Sequence, residues 1–145
     1  MKAKSFDIFH FLVIKKDKKE VFDAITKPEH LNNWWPLKSS GEPKVGSEYN
    51  FYFGEEYDWY AEVIESVTNT SFHVRMTKSD KDWNPTSFGF ELNDAEDGTE
   101  VTFQHTGWPS CNTHFKTASY CWAILLKNLK EYVEHDTIVP FEARS

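Results

Sequence analysis

The sequence predicts an α+β domain in which a curved antiparallel sheet of about six to seven strands wraps one long C-terminal helix, with two short helices between strands 1 and 2. Three observations carry this prediction. Segments from Tyr49 to Thr106 alternate apolar and polar residues with period two, Gly/Asn/Asp-rich turns separate them, and an amphipathic run extends from Cys111 to Glu134. At 145 residues the chain is expected to form a single domain, 1–145, large enough to fold without a disulfide or a metal.

The first strand is expected over residues 5–14, where Phe6, Ile8, Phe9, Phe11, Leu12, Val13 and Ile14 make both faces apolar and leave the inward face unassigned. Asp17-Lys-Lys-Glu20 matches a capping box, and Val21, Phe22, Ala24 and Ile25 give the helix behind it a buried face. Thr26-Lys27-Pro28 ends that helix and starts another, with Pro28 suited to a first helical position. The second short helix runs to about Asn33 and delivers Trp34-Trp35. Residues 37–46 read as a polar loop. In the meander that follows, Tyr49, Phe51 and Phe53 share one face, as do Trp59, Ala61 and Val63, then Phe72, Val74 and Met76, then Phe88, Phe90 and Leu92, and last Val101, Phe103 and His105. Lys78–Pro85 reads as another polar loop. Ser110 is the expected cap of the terminal helix, whose apolar stripe is Cys111, Phe115, Ala118, Trp122, Leu125, Leu126, Leu129 and Val133.

Composition excludes some functions. A net charge of −7 lacks the clustered cations that neutralise phosphates, so neither nucleic acid nor an anionic membrane is an expected partner. No apolar stretch spans a bilayer and the N-terminus lacks a signal core, so the chain reads as cytoplasmic. If Cys111 and Cys121 share a helix, ten residues of rise put them about 15 Å apart, too far for a disulfide. Aromatic residues make up 17% of the chain. Both a solid aromatic core and the wall of a cavity account for that excess.

Among titratable groups, His105 is set inward by strand parity and could orient a ligand or move a proton, or simply hydrogen-bond near the strand end. Cys111, His114 and His105 are close in sequence but offer no fourth ligand for a tetrahedral zinc site, so no metal is expected. No nucleophile elbow, catalytic triad or phosphate loop appears, and no cofactor or catalytic residue is assigned.

The order of strand, two short helices, meander and long helix resembles the helix-grip fold of the START-like, or SRPBCC, superfamily. Within it the chain is similar to the family related to the C-terminal domain of the activator of the ninety-kilodalton heat-shock protein ATPase. The pieces that carry the resemblance are Val21-Phe22-Asp-Ala-Ile-Thr-Lys-Pro28-Glu29-His-Leu31 with Trp34-Trp35, Val45-Gly46-Ser-Glu-Tyr-Asn-Phe51, Asp97-Gly98-Thr99 with His105-Thr-Gly107-Trp108, and Trp122 through Glu134. The resemblance implies a sheet curved around the terminal helix, and a superfamily that spans hydrophobe carriers, polyketide cyclases and co-chaperones.

Three functional readings follow. The first is binding of a small hydrophobic or aromatic molecule between sheet and helix, by Trp34, Trp35, Phe51, Phe53, Trp59, Phe72, Phe88, Phe90, Phe103, His105 and Trp122. The second is a protein-interaction module of co-chaperone type, with a chaperone-like partner. The third is a cyclase- or aromatase-like enzyme using His105 as acid or base.

Overall fold

A computed structural model describes residues 5–84 and 86–144. Residues 1–4, on which the reading of the N-terminus rests, and Pro85, at the end of the second polar loop, lie outside the described residues. Seven strands form one curved antiparallel sheet in the order β1-β7-β6-β5-β4-β3-β2. They are β1 (Phe6–Ile14), β2 (Lys38–Ser40), β3 (Glu48–Tyr52), β4 (Asp58–Val67), β5 (Ser71–Lys78), β6 (Ser87–Ala95) and β7 (Gly98–Trp108). Helices α1 (Lys18–Thr26) and α2 (Pro28–Leu31) connect β1 to β2, and α3 (Thr113–His135) follows β7. No helix among the described residues is long and apolar enough to cross a membrane.

The period-two pattern sets the register. Phe72 pairs with Phe90, and Phe90 with Phe103, so three rings cross the sheet on its inner face. The inward face of β1 is now assigned: Ile8 and Ile14 are buried, whereas Phe9 and Phe11 are each 63% exposed. Asp17 caps α1 by accepting from the Glu20 N–H at 2.9 Å. Pro28 occupies the first turn of α2, where its missing donor costs nothing.

Four local expectations change. The loop predicted over 37–46 contains β2, whose residues Lys38 and Ser40 pair with Tyr52 and Asn50. The cap of α3 is Asn112 rather than Ser110; its side chain accepts from the Phe115 N–H at 2.9 Å. Cys111 therefore precedes the helix and is exposed, so helical spacing does not describe the two free thiols. His73, expected on a wet face, is only 8% exposed although it points away from the core.

The ends of α3 are tied to the sheet and to the chain's tail. Near its C-terminus, Glu134 accepts from the Lys15 N–H at 2.8 Å and from Lys130 at 2.6 Å. Burial pushes the Glu134 carboxyl upward, but these hydrogen bonds and the Lys130 charge outweigh it and leave the group below its ordinary value. The tail folds back so that the Arg144 guanidinium is buried and donates to the carbonyls of Val139 at 2.9 Å and Pro36 at 3.0 Å. Asn128 on α3 donates to the Arg144 carbonyl.

Candidate functional site

The site is built outward from Trp122, which the helical stripe aims at the sheet. Its ring lies 4.4 Å from Phe103, 5.0 Å from Trp35 and 5.4 Å from Phe88, centre to centre. The Trp34-Trp35 pair divides its work. Trp34 is fully buried and donates from Nε1 to the Ala24 carbonyl at 2.9 Å, which fixes α1 against the turn after α2. Trp35 stacks beside it and faces Phe51, Phe53, Phe88 and Trp122.

Beside Trp35 and Trp122 a cleft of about 160 Å³ opens between the β3–β4 hairpin, the β5–β6 loop and α3. Trp35, Phe53, Tyr57, Trp59, Trp83, Ala118, Cys121, Trp122 and Leu125 line it. Among the described residues, no lining side chain is charged. Of the residues expected to contact a ligand, Trp35, Phe53, Trp59 and Trp122 meet at this cleft. Phe51 and Phe88 stand behind Trp35, while Phe72 and Phe90 pack deeper, against Tyr49 and Phe103 respectively. Trp34, Phe103 and His105 are also core residues that do not line the cleft.

Tyr57, Trp83, Ala118, Cys121 and Leu125 are not among the expected ligand contacts. Trp83 is the informative miss, because Lys78–Pro85 reads as polar loop and its one indole is the signal that it does not all face solvent. Asp80 folds this loop inward by accepting from the Asp82 and Trp83 N–H groups at 3.0 and 3.1 Å. His114 at the start of α3 holds Asp82 at 2.9 Å, and this hydrogen bond keeps the Asp82 carboxyl below its ordinary value. Trp83 thus reaches Trp59 at 4.8 Å and His105 at 4.5 Å.

His105 is fully buried and both ring nitrogens are engaged. Trp122 Nε1 donates to His105 Nδ1 at 3.0 Å. An indole can only donate, so Nδ1 carries no proton and the proton sits on Nε2. That Nε2–H donates to Thr86 Oγ1 at 2.8 Å, and the Thr86 hydroxyl donates to the Trp83 carbonyl. One directional chain of hydrogen bonds therefore runs from α3 through β7 to the β5–β6 loop and joins two walls of the cleft. Burial, with a smaller contribution from the charge of His114, pushes the imidazole down to about 3. A neutral imidazole with no free nitrogen positions Trp122 and Trp83; it has no lone pair left for acid–base work in the cleft. The same engagement removes its ring from a ligand set with Cys111 and His114.

A protein-family model described as Activator of Hsp90 ATPase homolog 1-like protein matches residues 17–134. The chain belongs to that family. Its fold is likewise that of solved relatives. The solution structure of the Aha1 dimer from Colwellia psychrerythraea superposes with a TM-score of 0.82 at 26% identity, covering 90% of this chain and 97% of that one. Protein SSP2350 from Staphylococcus saprophyticus gives 0.78 at 19% identity, covering 92% and 96%. DynU16, encoded in the dynemicin biosynthetic locus, gives 0.77 at 16% identity and covers 91% of this chain but 48% of its own. At the identities of the last two, the likeness is one of fold alone. No curated protein matches the chain.

Proposed function

We propose that the protein binds a small, flat, apolar molecule in the aromatic cleft between the β3–β4 hairpin, Trp83 and α3. The observation that carries this reading is the lining itself: six of the nine described residues around it, Trp35, Phe53, Tyr57, Trp59, Trp83 and Trp122, are aromatic. Faces and edges of such rings favour a stacked aromatic guest. Size narrows the class. Drug-sized ligands occupy roughly 300–1,000 Å³, whereas an apolar cavity of roughly 150 Å³ holds one benzene-sized ring. A cleft of about 160 Å³ seats one ring and leaves further substituents beside Tyr57, which is 52% exposed.

Titration of the full chain with indole, naphthalene and phenol, followed by tryptophan fluorescence and by amide NMR shifts, tests this reading. Saturable quenching with shifts confined to the cleft is expected, and Ala118→Phe, which fills the cleft from α3, should abolish both. No saturable response to any of the three, or an unchanged response in Ala118→Phe, overturns it.

A second reading is an interaction module for an Hsp90-type chaperone. Family membership motivates it, and so does one surface feature: Phe9 and Phe11 project from edge strand β1, each 63% exposed, away from the cleft. It predicts chaperone binding that Phe9→Ser/Phe11→Ser weakens and Ala118→Phe leaves intact. Calorimetry with the chaperone separates the two readings.

A further inference from the structure

We propose that Glu65, His73 and Glu91 form a binding site for one divalent transition-metal ion, of zinc type, on the outer face of the sheet. The site is independent of the cleft. One imidazole nitrogen and one oxygen from each carboxylate lie within 4.8 Å of one another. His73 Nε2 stands 3.7 Å from Glu65 Oε2 and 3.8 Å from Glu91 Oε1.

The imidazole points to a ligand. The His73 side chain is nine-tenths buried, yet its Nε2 stands beyond hydrogen-bond reach of both carboxylates. A side chain this enclosed ordinarily has its ring nitrogens engaged with a partner. Here Nε2 is aimed between two acceptors, and a cation placed there would bond all three groups at once.

The backbone brings these residues together by two devices. A bulge in β4 between Val63 and Glu65 re-aims the strand. Val63 faces the core, and without the extra residue Glu65 would face it too. With the bulge, Glu65 sits directly across from His73 on the outer face. On the other side, His73 pairs with Gly89 in β6, where a Cβ would fall 2.1 Å from His73 Nδ1. The glycine lets the ring lie flat across the sheet, with Nε2 between the two glutamates. Glu91 reaches in from two residues further along β6.

The donor set fits zinc better than harder ions. Zinc accepts imidazole nitrogen and carboxylate oxygen together, whereas magnesium and calcium take oxygen alone. Bonds of about 2.0–2.2 Å put tetrahedral ligand atoms roughly 3.4 Å apart. The His73–glutamate separations need to close by only about 0.4 Å to reach that spacing. Both glutamates are more than half exposed, so their side chains are free to rotate inward. Three protein ligands leave the fourth position to water, within a concavity of about 350 Å³ that Ser87, Gln104 and Thr106 also line.

The test uses the full chain, stripped of metal by chelation and dialysis. Titration with Zn²⁺ by calorimetry should give one ion per chain, and Co²⁺ should develop visible d–d absorption. His73→Ala should weaken Zn²⁺ binding by at least about tenfold, as should Glu65→Gln and Glu91→Gln separately. The two glutamate variants alter exposed side chains and keep the fold, so they remain informative if His73→Ala does not fold. Asp82→Asn, at the separate contact with His114, should leave the affinity unchanged. Absence of stoichiometric Zn²⁺ binding overturns the proposal and leaves His73 as an imidazole flanked by two carboxylates. Binding that survives Glu65→Gln and Glu91→Gln, or that Asp82→Asn abolishes, overturns it as well.

Discussion

The interior has two ends, and they are closed differently. At one end Tyr49, Phe72 and Phe90 pack beneath α1, and the Tyr49 hydroxyl donates to the Thr26 carbonyl at 2.6 Å. Burial raises the Tyr49 phenol above its ordinary value, so it stays protonated and a donor at neutral pH. Gly41 admits the Tyr49 ring: a Cβ there would lie 2.6 Å from it, and the glycine's φ of +142° is costly for any other residue. At the other end Trp35, Trp83 and Trp122 meet around a cleft and are held from behind by His105 and Thr86. Both ends are built from aromatic rings. The difference lies in where the polar handles point: at the closed end one ties a ring to a helix terminus, and at the open end they tie the walls to each other and leave space between.

The largest expected effect breaks the closed end. Phe90→Ala deletes a fully buried ring between Phe72 and Phe103 where little can relax, and should cost about 3–5 kcal/mol in denaturant melts. Binding of aromatic probes to the surviving folded fraction should not change. A loss below about 1 kcal/mol would mean that this end is not solid.

Trp122→Phe tests the link between the ends. It keeps a ring on α3 but removes the donor to His105 Nδ1, leaving a buried acceptor unmatched. We expect a loss of about 2–3 kcal/mol and a weaker fluorescence response to probes. Truncation to Ala would combine this with a cavity and could not separate the two causes.

The pH dependence of stability reports the same chain of hydrogen bonds. His105 is held at about 3 when folded, against an ordinary value near 6.5 when unfolded. Below pH 6.5 the unfolded chain takes up a proton that the folded chain refuses. The contribution is therefore complete above 6.5 and is lost as pH falls toward 3. Between pH 7 and 5 this group alone should remove about 2 kcal/mol. His105→Gln should flatten that slope by the same amount, measured by urea melts at the two pH values. An unchanged slope would place the imidazole in contact with water.

Most of the architecture is legible in the sequence because it rests on local patterns. Period-two alternation gives β3 to β7, the Asp17 capping box gives α1, and the stripe through Trp122 and Leu129 gives the inner face of α3. Three things that shape the sites are not local. Trp83 reads as loop because its inward turn depends on Asp80 and on His114, 31 residues later in the sequence. Glu65 goes unassigned in the sequence, because a bulge after Val63 adds a residue that no alternation rule anticipates. His73 reads as solvent-facing because its burial depends on Gly89 in the neighbouring strand. The cap at Asn112 rather than Ser110 shows a smaller version of the problem, since both residues cap well and the choice is made by where β7 ends.

The smallest stability effect should still carry a clear binding effect. Phe53 follows β3, is partly exposed, and touches Trp35 and Trp59 at 5.6 and 5.4 Å between ring centres. Because it borders open space, Phe53→Ala deletes contacts on one side only and enlarges an existing cleft. A loss of about 1 kcal/mol is expected. The guest would lose one stacked face worth about 0.5–1.5 kcal/mol, so affinity for an aromatic probe should fall by roughly two- to twelvefold. The pair of numbers reverses the pattern of Phe90→Ala, where stability is lost and binding kept. If Phe53→Ala instead costs as much stability as Phe90→Ala and leaves probe affinity unchanged, the two ends are equivalent in packing and the cleft is surface relief.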